Sequence, residues 1–156
     1  MSKYVSEFFG TAFLLVIVVG SGIMGENLAK GNEAIVLLAN SLATGAGLFV
    51  LIQCLGPISG AHFNPVVSLI EMLWGRLKKK DLIQYWPVTI AAYITGAYWF
   101  TSSTSFANPA VTLARSLTNT FCGIAPTSIW TFILAQVLGA LAAYFVIRKS
   151  TQSHMQ

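Results

Sequence analysis

The chain has 156 residues, of which 55% are hydrophobic and only 9% are charged, and its mean hydropathy is +0.70. Because a soluble domain carries about 25% charged residues, this composition excludes an ordinary soluble protein and indicates an integral membrane protein. Most of the net charge of +4 lies in two basic clusters, at 76–80 and at Arg148 and Lys149. Such clusters beside membrane helices fix orientation in the bilayer rather than bind nucleic acid.

Four apolar stretches, at about 5–24, 34–56, 81–103 and 127–147, are long enough to cross a bilayer, since a spanning helix needs about 20 mostly apolar residues. The first stretch has some features of a secretory signal peptide. However, its apolar run is long for one and contains Glu7, which favours a spanning helix. In the third stretch, Asp81 is the expected N-cap and Pro87 predicts a kink or a late helix start.

The distribution of lysine and arginine predicts which side of the membrane each loop faces. With a cytoplasmic N-terminus, four spans place both basic clusters in the cytoplasm and leave only Lys30 in the first outer loop. Both chain ends are then cytoplasmic, and the polar tail at 150–156 is expected to be disordered. Cys54 and Cys122 lie in regions too far apart to bridge one another.

Two shorter apolar runs, at 64–74 and 108–117, each begin with Asn-Pro. A helix of about 10 residues is ~15 Å long, half of the ~30 Å hydrocarbon core, so neither run can span. Asn caps free backbone N–H groups, and Pro suits the first helical position. The orientation predicts half-helices that enter from opposite faces and meet head to head at the midplane, around a cavity or inside protein.

Glu7 in "SEFFGTAFLL", together with "SGAHFNPVVSL" and "FANPAVTLARSL", resembles the aquaporin and glyceroporin channels of the major intrinsic protein family over nearly the whole chain. That family has six spans and two half-helices in two inverted repeats. Here a single span separates the motifs, so two spans are missing. The expected fold is an all-α integral membrane protein, an aquaporin-like bundle reduced to four transmembrane helices plus two re-entrant half-helices. It forms one domain, 1–156, in which 1–80 lacks most of a third span and 81–150 lacks its first span.

The resemblance implies which residues form the pore. The Asn-Pro motifs are Asn64, Pro65, Val66 and Asn108, Pro109, Ala110, and the backbone carbonyls that replace solute hydration are those of Gly60, Ala61, His62, Ser105, Phe106 and Ala107. Helix capping alone is the competing interpretation of the two asparagines. His62 is expected to hold its loop by a hydrogen bond and not to bind metal. Glu7 is implied to brace loop carbonyls, while the family's matching glutamate in the fourth span is absent.

Counting from the two asparagines, the implied selectivity filter consists of Thr44, Gly96, Ser105 and Val111. Most members have arginine where this chain has Val111. Arg115, one helical turn further on, is expected to be a solvated outer arginine. Small uncharged residues predict a wide filter, which resembles the bacterial branch of the family associated with arsenic resistance. That branch passes uncharged arsenic or antimony hydroxides and methylated arsenicals.

The sequence therefore predicts a passive channel for small neutral solutes such as water and glycerol-like polyols, with no enzymatic activity, cofactor or metal. Its expected partners are the lipid bilayer, the solutes and further copies of itself, as in the family's tetramer, in a bacterial inner membrane. One alternative is a truncated, non-conducting relative that assembles with other subunits or has no role. Another is an ion-coupled transporter, for which Glu7 is the only clear intramembrane acid. Ala135, Gly139 and Ala143 give the last span a face suited to close helix contact.

Overall fold

The computed structural model describes residues 1–74, 79–101 and 103–153. Helices fill most of these ranges and no strand occurs within them, so the all-α prediction is confirmed for this part of the chain. The helices are α1 (Lys3–Ala29), α2 (Glu33–Ser59), α3 (Pro65–Trp74), α4 (Lys79–Phe100), α5 (Pro109–Arg115) and α6 (Ile129–Ser153), with a 3₁₀ turn at Pro126–Ser128 before α6.

The ends of the first two helices follow from local side-chain chemistry. The Ser2 hydroxyl accepts a hydrogen bond from the Val5 N–H at 3.3 Å and caps α1. The Asn32 side chain does the same for the Ile35 N–H at the start of α2. Helix α2 ends at Gly60, whose φ of 102° lies in the left-handed region that glycine adopts without steric cost.

Two predicted boundaries are wrong. Helix α4 begins at Lys79, so Asp81 lies inside the helix rather than at its N-cap, and the helix continues through Pro87 instead of starting late there. The predicted disordered tail is helical up to Ser153, because α6 carries on past its apolar run. His154 at the end of that tail, and Arg76 in the basic cluster, lie outside the described residues.

Among the residues that the structure describes, three segments are long and apolar enough to cross a membrane, namely Lys3–Ala29, Glu33–Ser59 and Pro126–Ser150. Helix α4 has 22 residues, about 33 Å at 1.5 Å per residue, but its aromatic and threonine residues make it less apolar, and it is not among the three. Helices α3 and α5 have 10 and 7 residues. At about 15 Å and 10 Å long, each is much shorter than the hydrocarbon core.

The helices pack in two groups with the half-helices between them. Helix α2 packs against α1 on one side and α4 on the other, while α6 packs against α3 and α5. A side chain at Gly45 of α2 would overlap Thr95 of α4, so the glycine permits that close approach. Within the described residues, no Cα atom of α4 comes within 8 Å of a Cα atom of α6, so these two helices do not pack closely. The bundle is therefore open on the side between α4 and α6.

Candidate functional site

Each Asn-Pro motif caps a half-helix. The Asn64 side-chain oxygen accepts a hydrogen bond from the Val66 N–H at 2.9 Å, and that of Asn108 accepts one from the Ala110 N–H at 3.0 Å. These bonds satisfy one of the free N–H groups at the start of α3 and of α5. The prolines are the first residues of their helices, where a missing N–H costs nothing.

The same two asparagines also join the half-helices to each other. The Asn64 amide nitrogen donates to the Ala107 carbonyl at 2.8 Å, and the Asn108 amide nitrogen donates to the Phe63 carbonyl at 2.7 Å. Each asparagine therefore bonds to the residue that precedes the other, and the N-terminal ends of α3 and α5 meet. A side-chain amide carries two N–H groups, so each asparagine keeps one that these two bonds do not use.

Both loops that lead to the asparagines are conformationally strained. Ala61 and Phe63 in the first loop, and Thr104 and Ser105 in the second, have φ between 46° and 62°. Such left-handed backbone costs about 1–3 kcal/mol for each residue that is not glycine and persists only where surrounding contacts fix it. The contacts that hold these loops are therefore as much a part of the site as the asparagines.

Glu7 of α1 holds the first loop. Its two carboxylate oxygens accept hydrogen bonds from the His62 N–H at 3.1 Å and the Phe63 N–H at 2.8 Å. The expectation that Glu7 braces carbonyls is wrong for these contacts, because both partners are backbone N–H groups that donate to the side-chain oxygens. A side chain at Gly10 would overlap the Phe63 ring, so this glycine lets the loop lie against α1. His62 Nδ1 lies 3.0 Å from the Ser68 hydroxyl on α3.

Gln136 of α6 holds the second loop, and sequence reasoning missed it. Its side-chain nitrogen donates to the Phe106 carbonyl and to the Thr112 hydroxyl, both at 2.8 Å. Thr112 in turn donates to the Asn108 carbonyl at 3.0 Å, so the brace extends to the motif itself. The available signal was a strongly polar side chain inside the apolar run "IWTFILAQVLGALAAYFVI", where such a residue needs a polar partner.

Arg115 is buried, and the prediction of a solvated outer arginine is wrong. Its side chain is 2% exposed, and its guanidinium lies 3.9 Å from the centre of the Phe106 ring. It donates to the Cys122 carbonyl and, at 2.7 Å, to the Thr104 hydroxyl. The chain after α5 folds back over the arginine, and the Ile124 N–H bonds to the Arg115 carbonyl at 3.2 Å. Arg115 therefore fastens the outer loop to α5.

A cavity of about 310 Å³ lies where the loops, the half-helices and α1, α2 and α4 meet. The predicted site residues that line it are Thr44, Gly60, Ala61, His62, Asn64, Ser105, Ala107, Asn108 and Val111. Most of the remaining wall is apolar and includes Leu14, Val18, Leu48, Ile52 and Ile94. Pro65, Val66, Phe106, Pro109 and Ala110 do not line this cavity, and Val67 takes the place expected for Val66.

The prediction for Gly96 is also wrong, because α4 turns a different face to the cavity. Ile90, Ile94 and Tyr98, spaced by one helical turn, line it, and Gly96 does not. The Tyr98 hydroxyl lies 3.1 Å from the Thr44 hydroxyl, and its side chain is 3% exposed. The ring occupies space that a glycine would leave open. Tyr98 therefore contributes an aromatic ring to the cavity wall beside Thr44, in place of the expected Gly96.

The six predicted acceptor carbonyls are not equivalent. Among the described residues, the carbonyls of Gly60, Ala61 and His62 accept no hydrogen bond, whereas those of the second loop each accept one. Those three bonds come from the Ala107 N–H to Ser105, from Gln136 to Phe106 and from Asn64 to Ala107. Free acceptors are thus concentrated on the first loop.

The family model described as Major intrinsic protein matches residues 1–106. The chain belongs to the major intrinsic protein family. It is 39% identical over 207 residues to Aquaglyceroporin AqpS of Rhizobium meliloti (strain 1021), covering 94% of this chain and 88% of that relative. The members of this family are channels and not enzymes, and with its long apolar helices the chain is a multi-pass membrane protein.

Two further relatives match this chain over a smaller share of their own length than Aquaglyceroporin AqpS does. Aquaporin Z of Brucella melitensis biotype 1 is 39% identical over 97 residues, covering 62% of this chain and 42% of the relative. Probable aquaporin TIP2-2 of Oryza sativa subsp. japonica is 32% identical over 145 residues, covering 92% of this chain and 58% of the relative. No solved structure matches the chain.

The alignment with Aquaglyceroporin AqpS extends over 207 positions although the chain has 156 residues. That relative therefore has residues inside the aligned region that have no counterpart here.

Proposed function

We propose that this member of the family is a passive channel for small neutral solutes that carry hydroxyl groups, such as water and glycerol-like polyols. The observation that carries the proposal is the cavity in which the side chains of Asn64 and Asn108 lie beside the first-loop carbonyls. The names of its relatives, aquaporin and aquaglyceroporin, agree with this class of solute.

The composition of the cavity wall explains the preference for neutral solutes. The free amide N–H groups of the asparagines donate to a passing hydroxyl oxygen, and the first-loop carbonyls accept its hydrogen. The opposite wall is aliphatic, as a carbon chain with hydroxyl groups along one side requires. None of the described lining residues is Asp, Glu, Lys or Arg, so a bare ion finds no charged group to replace its hydration. The N-terminal dipoles of two helices that meet head to head oppose cations.

The proposed membrane arrangement has α1, α2, α4 and α6 as spans, with α3 and α5 as re-entrant half-helices. Helix α4 is long enough to cross, and its packing against α2 supports this arrangement. Lysine and arginine distribution supports cytoplasmic chain ends, and the bacterial relatives support a bacterial inner membrane. The open side between α4 and α6 supports operation as a homo-oligomer.

The finer part of the proposal concerns which solutes pass. Thr44, Ser105 and Val111 are uncharged, and Val111 brings no positive donor to the cavity. Uncharged arsenic or antimony hydroxides and methylated arsenicals are small, neutral and hydroxylated, so the same donors and acceptors suit them. Tyr98 sets an upper limit on solute width, because its ring faces the cavity beside Thr44.

The test is solute flux in proteoliposomes, followed by light scattering under a glycerol gradient and, separately, under an impermeant osmolyte. We expect glycerol entry well above that of empty vesicles, and its loss in Asn64→Ala and Asn108→Ala. The matched control is Asn27→Ala, which removes an exposed asparagine near the end of α1 and is expected to conduct like the unmodified chain. Equal flux in all three variants would contradict a pore at the asparagines. Arsenite entry into the same vesicles tests whether uncharged arsenic hydroxides also pass.

A second candidate is a truncated relative that inserts but conducts nothing, and the missing contact between α4 and α6 favours it. Absence of flux from correctly inserted protein would support this candidate. The ion-coupled transporter loses its main support, because both carboxylate oxygens of Glu7 already accept backbone N–H groups.

A further inference from the structure

A positive charge is buried beside the cavity of about 310 Å³ that holds the two asparagines, here called the pore cavity. Arg115 does not line this cavity, but its guanidinium contacts both chain neighbours of Ser105, which does. It donates to the Thr104 hydroxyl at 2.7 Å and lies 3.9 Å from the centre of the Phe106 ring. The charge therefore lies behind the part of the second loop that faces the pore cavity.

The groups that hold this guanidinium are uncharged. They are the Cys122 carbonyl and the Thr104 hydroxyl, and the buried Nη1 atom of Arg115 has no hydrogen-bond partner among the described residues. Glu26 reaches the same outer loop and accepts from the Phe121 N–H at 2.7 Å, but it is exposed, so water and salt screen its charge. Because a guanidinium stays protonated in proteins, Arg115 is a buried cation held by neutral partners.

Fastening the outer loop does not explain this charge. Gln136 shows in the same region that one neutral amide nitrogen can donate to two acceptors, so a cation is not needed to hold two neutral groups. A buried charge without an ion partner also carries a large desolvation cost. Ionisable side chains at membrane depth are rare for this reason, and they mark functional sites. The charge of Arg115 is therefore the feature that calls for a role beyond its hydrogen bonds.

We propose that Arg115 is a specificity-determining residue that acts on the pore cavity through the second loop. Its positive field repels cations beside Ser105 and gives any residual ion permeability a preference for anions. A buried charge in a medium of low dielectric constant is screened far less than a charge in water, so Arg115 acts without touching the solute. Solutes without net charge are not repelled. This inference rests on the proposed channel function and adds a full charge to the partial charges of the helix dipoles.

Thr104 offers a way to cancel the charge while the loop stays held. Its hydroxyl accepts a hydrogen bond from Arg115, and its φ of 52° lies in the left-handed region, which Asp and Asn adopt more readily than threonine does. In Thr104→Asp the new carboxylate is expected to pair with the guanidinium and to neutralise it. Thr104→Asn has nearly the same shape without the charge, so it is the matched control.

The first measurement is the ratio of chloride to sodium permeability, obtained from the reversal potential of planar bilayers under a sodium chloride gradient. We expect the unmodified chain and Thr104→Asn to prefer chloride. Thr104→Asp should lower the ratio by about tenfold or more, the effect of one unit charge about 10 Å away at an effective dielectric constant near 20. Equal ratios in the two variants would overturn the proposal. A leak in Thr104→Asp that rises equally for both ions would also overturn it, because it would indicate a loosened loop.

The second measurement compares Arg115→Lys, which keeps the charge, with Arg115→Gln, which keeps an amide donor and loses the charge. The lysine variant should retain the chloride preference and the glutamine variant should lose it. Arg148→Gln, which removes an exposed arginine near the end of α6, is the control and should behave like the unmodified chain. Loss of the preference in both Arg115 variants would assign Arg115 a purely structural role.

Glycerol flux in the same preparations separates this inference from the proposed function. An unmodified chain that conducts no glycerol would contradict the channel and this inference with it. Glycerol flux together with an unchanged chloride preference in Arg115→Gln would overturn only the role of Arg115 and leave the channel standing.

Discussion

Gln136 gives a sharp test of how the second loop is held. Gln136→Leu keeps most of the side-chain volume but removes the nitrogen that donates to the Phe106 carbonyl and the Thr112 hydroxyl at 2.8 Å each. A neutral hydrogen bond contributes about 1 kcal/mol net, so the two together account for about 2 kcal/mol. The Gln136 side-chain oxygen is buried without a hydrogen-bond partner, and its removal offsets part of the loss. We expect a net destabilisation of about 1–2 kcal/mol.

Gln136→Glu removes the hydrogen-bond donor with a smaller change in side-chain packing, because it exchanges the amide nitrogen for an oxygen of similar size. A carboxylate cannot donate to either acceptor, and it places an uncompensated charge between α6 and the loop. The expected destabilisation is about 3 kcal/mol or more, larger than for leucine. Acidification that protonates the new carboxyl restores one donor, so the deficit should shrink as the pH falls.

The measurement is thermal unfolding of the purified variants in one lipid or detergent system, beside glycerol flux. For a chain of this size 1 kcal/mol corresponds to about 2–4 °C in Tm, which gives a decrease of about 2–8 °C for the leucine variant and more for glutamate. Gln53→Leu, at an exposed position of α2, is the matched control and should leave Tm unchanged. A leucine variant with the Tm of the unmodified chain would refute the bracing role.

Three further predictions concern the filter region and the outer loop. Val111→Arg should lower glycerol flux more than water flux, because its long side chain would enter the cavity; equal effects on both would remove Val111 from the filter. Tyr98→Ala should raise glycerol flux relative to water by removing the ring beside Thr44, and an unchanged ratio would show that the ring does not limit solute width. Arg115→Lys should increase proteolysis of the outer loop, because a single ammonium group cannot replace the guanidinium that donates to both the Cys122 carbonyl and the Thr104 hydroxyl. Unchanged protease resistance would contradict this.

The parts of the site that sequence predicted are those fixed by local chemistry. Asn followed by Pro starts a helix for reasons contained in three or four residues, and both half-helices begin where the motifs stand. The long apolar runs are helical for the same kind of reason, since hydrophobicity and length are properties of the segment itself. The distribution of lysine and arginine then predicted that the two half-helices meet head to head, which no local motif contains.

The parts that sequence missed depend on how helices pack. Counting along the chain cannot tell that Tyr98 rather than Gly96 faces the cavity, because the rotation of α4 is set by its contacts with α2. Arg115 is buried rather than solvated, and the sequence could not predict this because the loop that covers it has no periodic pattern. Gln136 lies 30 residues from the carbonyl it holds, a separation at which only the folded structure reveals the partner.

The two braces have opposite chemistry, and this bears on where a solute binds. Glu7 holds the first loop by its N–H groups, which leaves the carbonyls of Gly60, Ala61 and His62 unbonded. Gln136 holds the second loop by a carbonyl, which uses an acceptor that a solute would otherwise meet. A carboxylate at Gln136 would instead release the Phe106 carbonyl, at the cost of the loop's support. The carbonyls that can accept a hydrogen bond from a solute are therefore concentrated on the first loop, which Glu7 holds. In the second loop, the contact with Gln136 uses one such carbonyl to hold the loop.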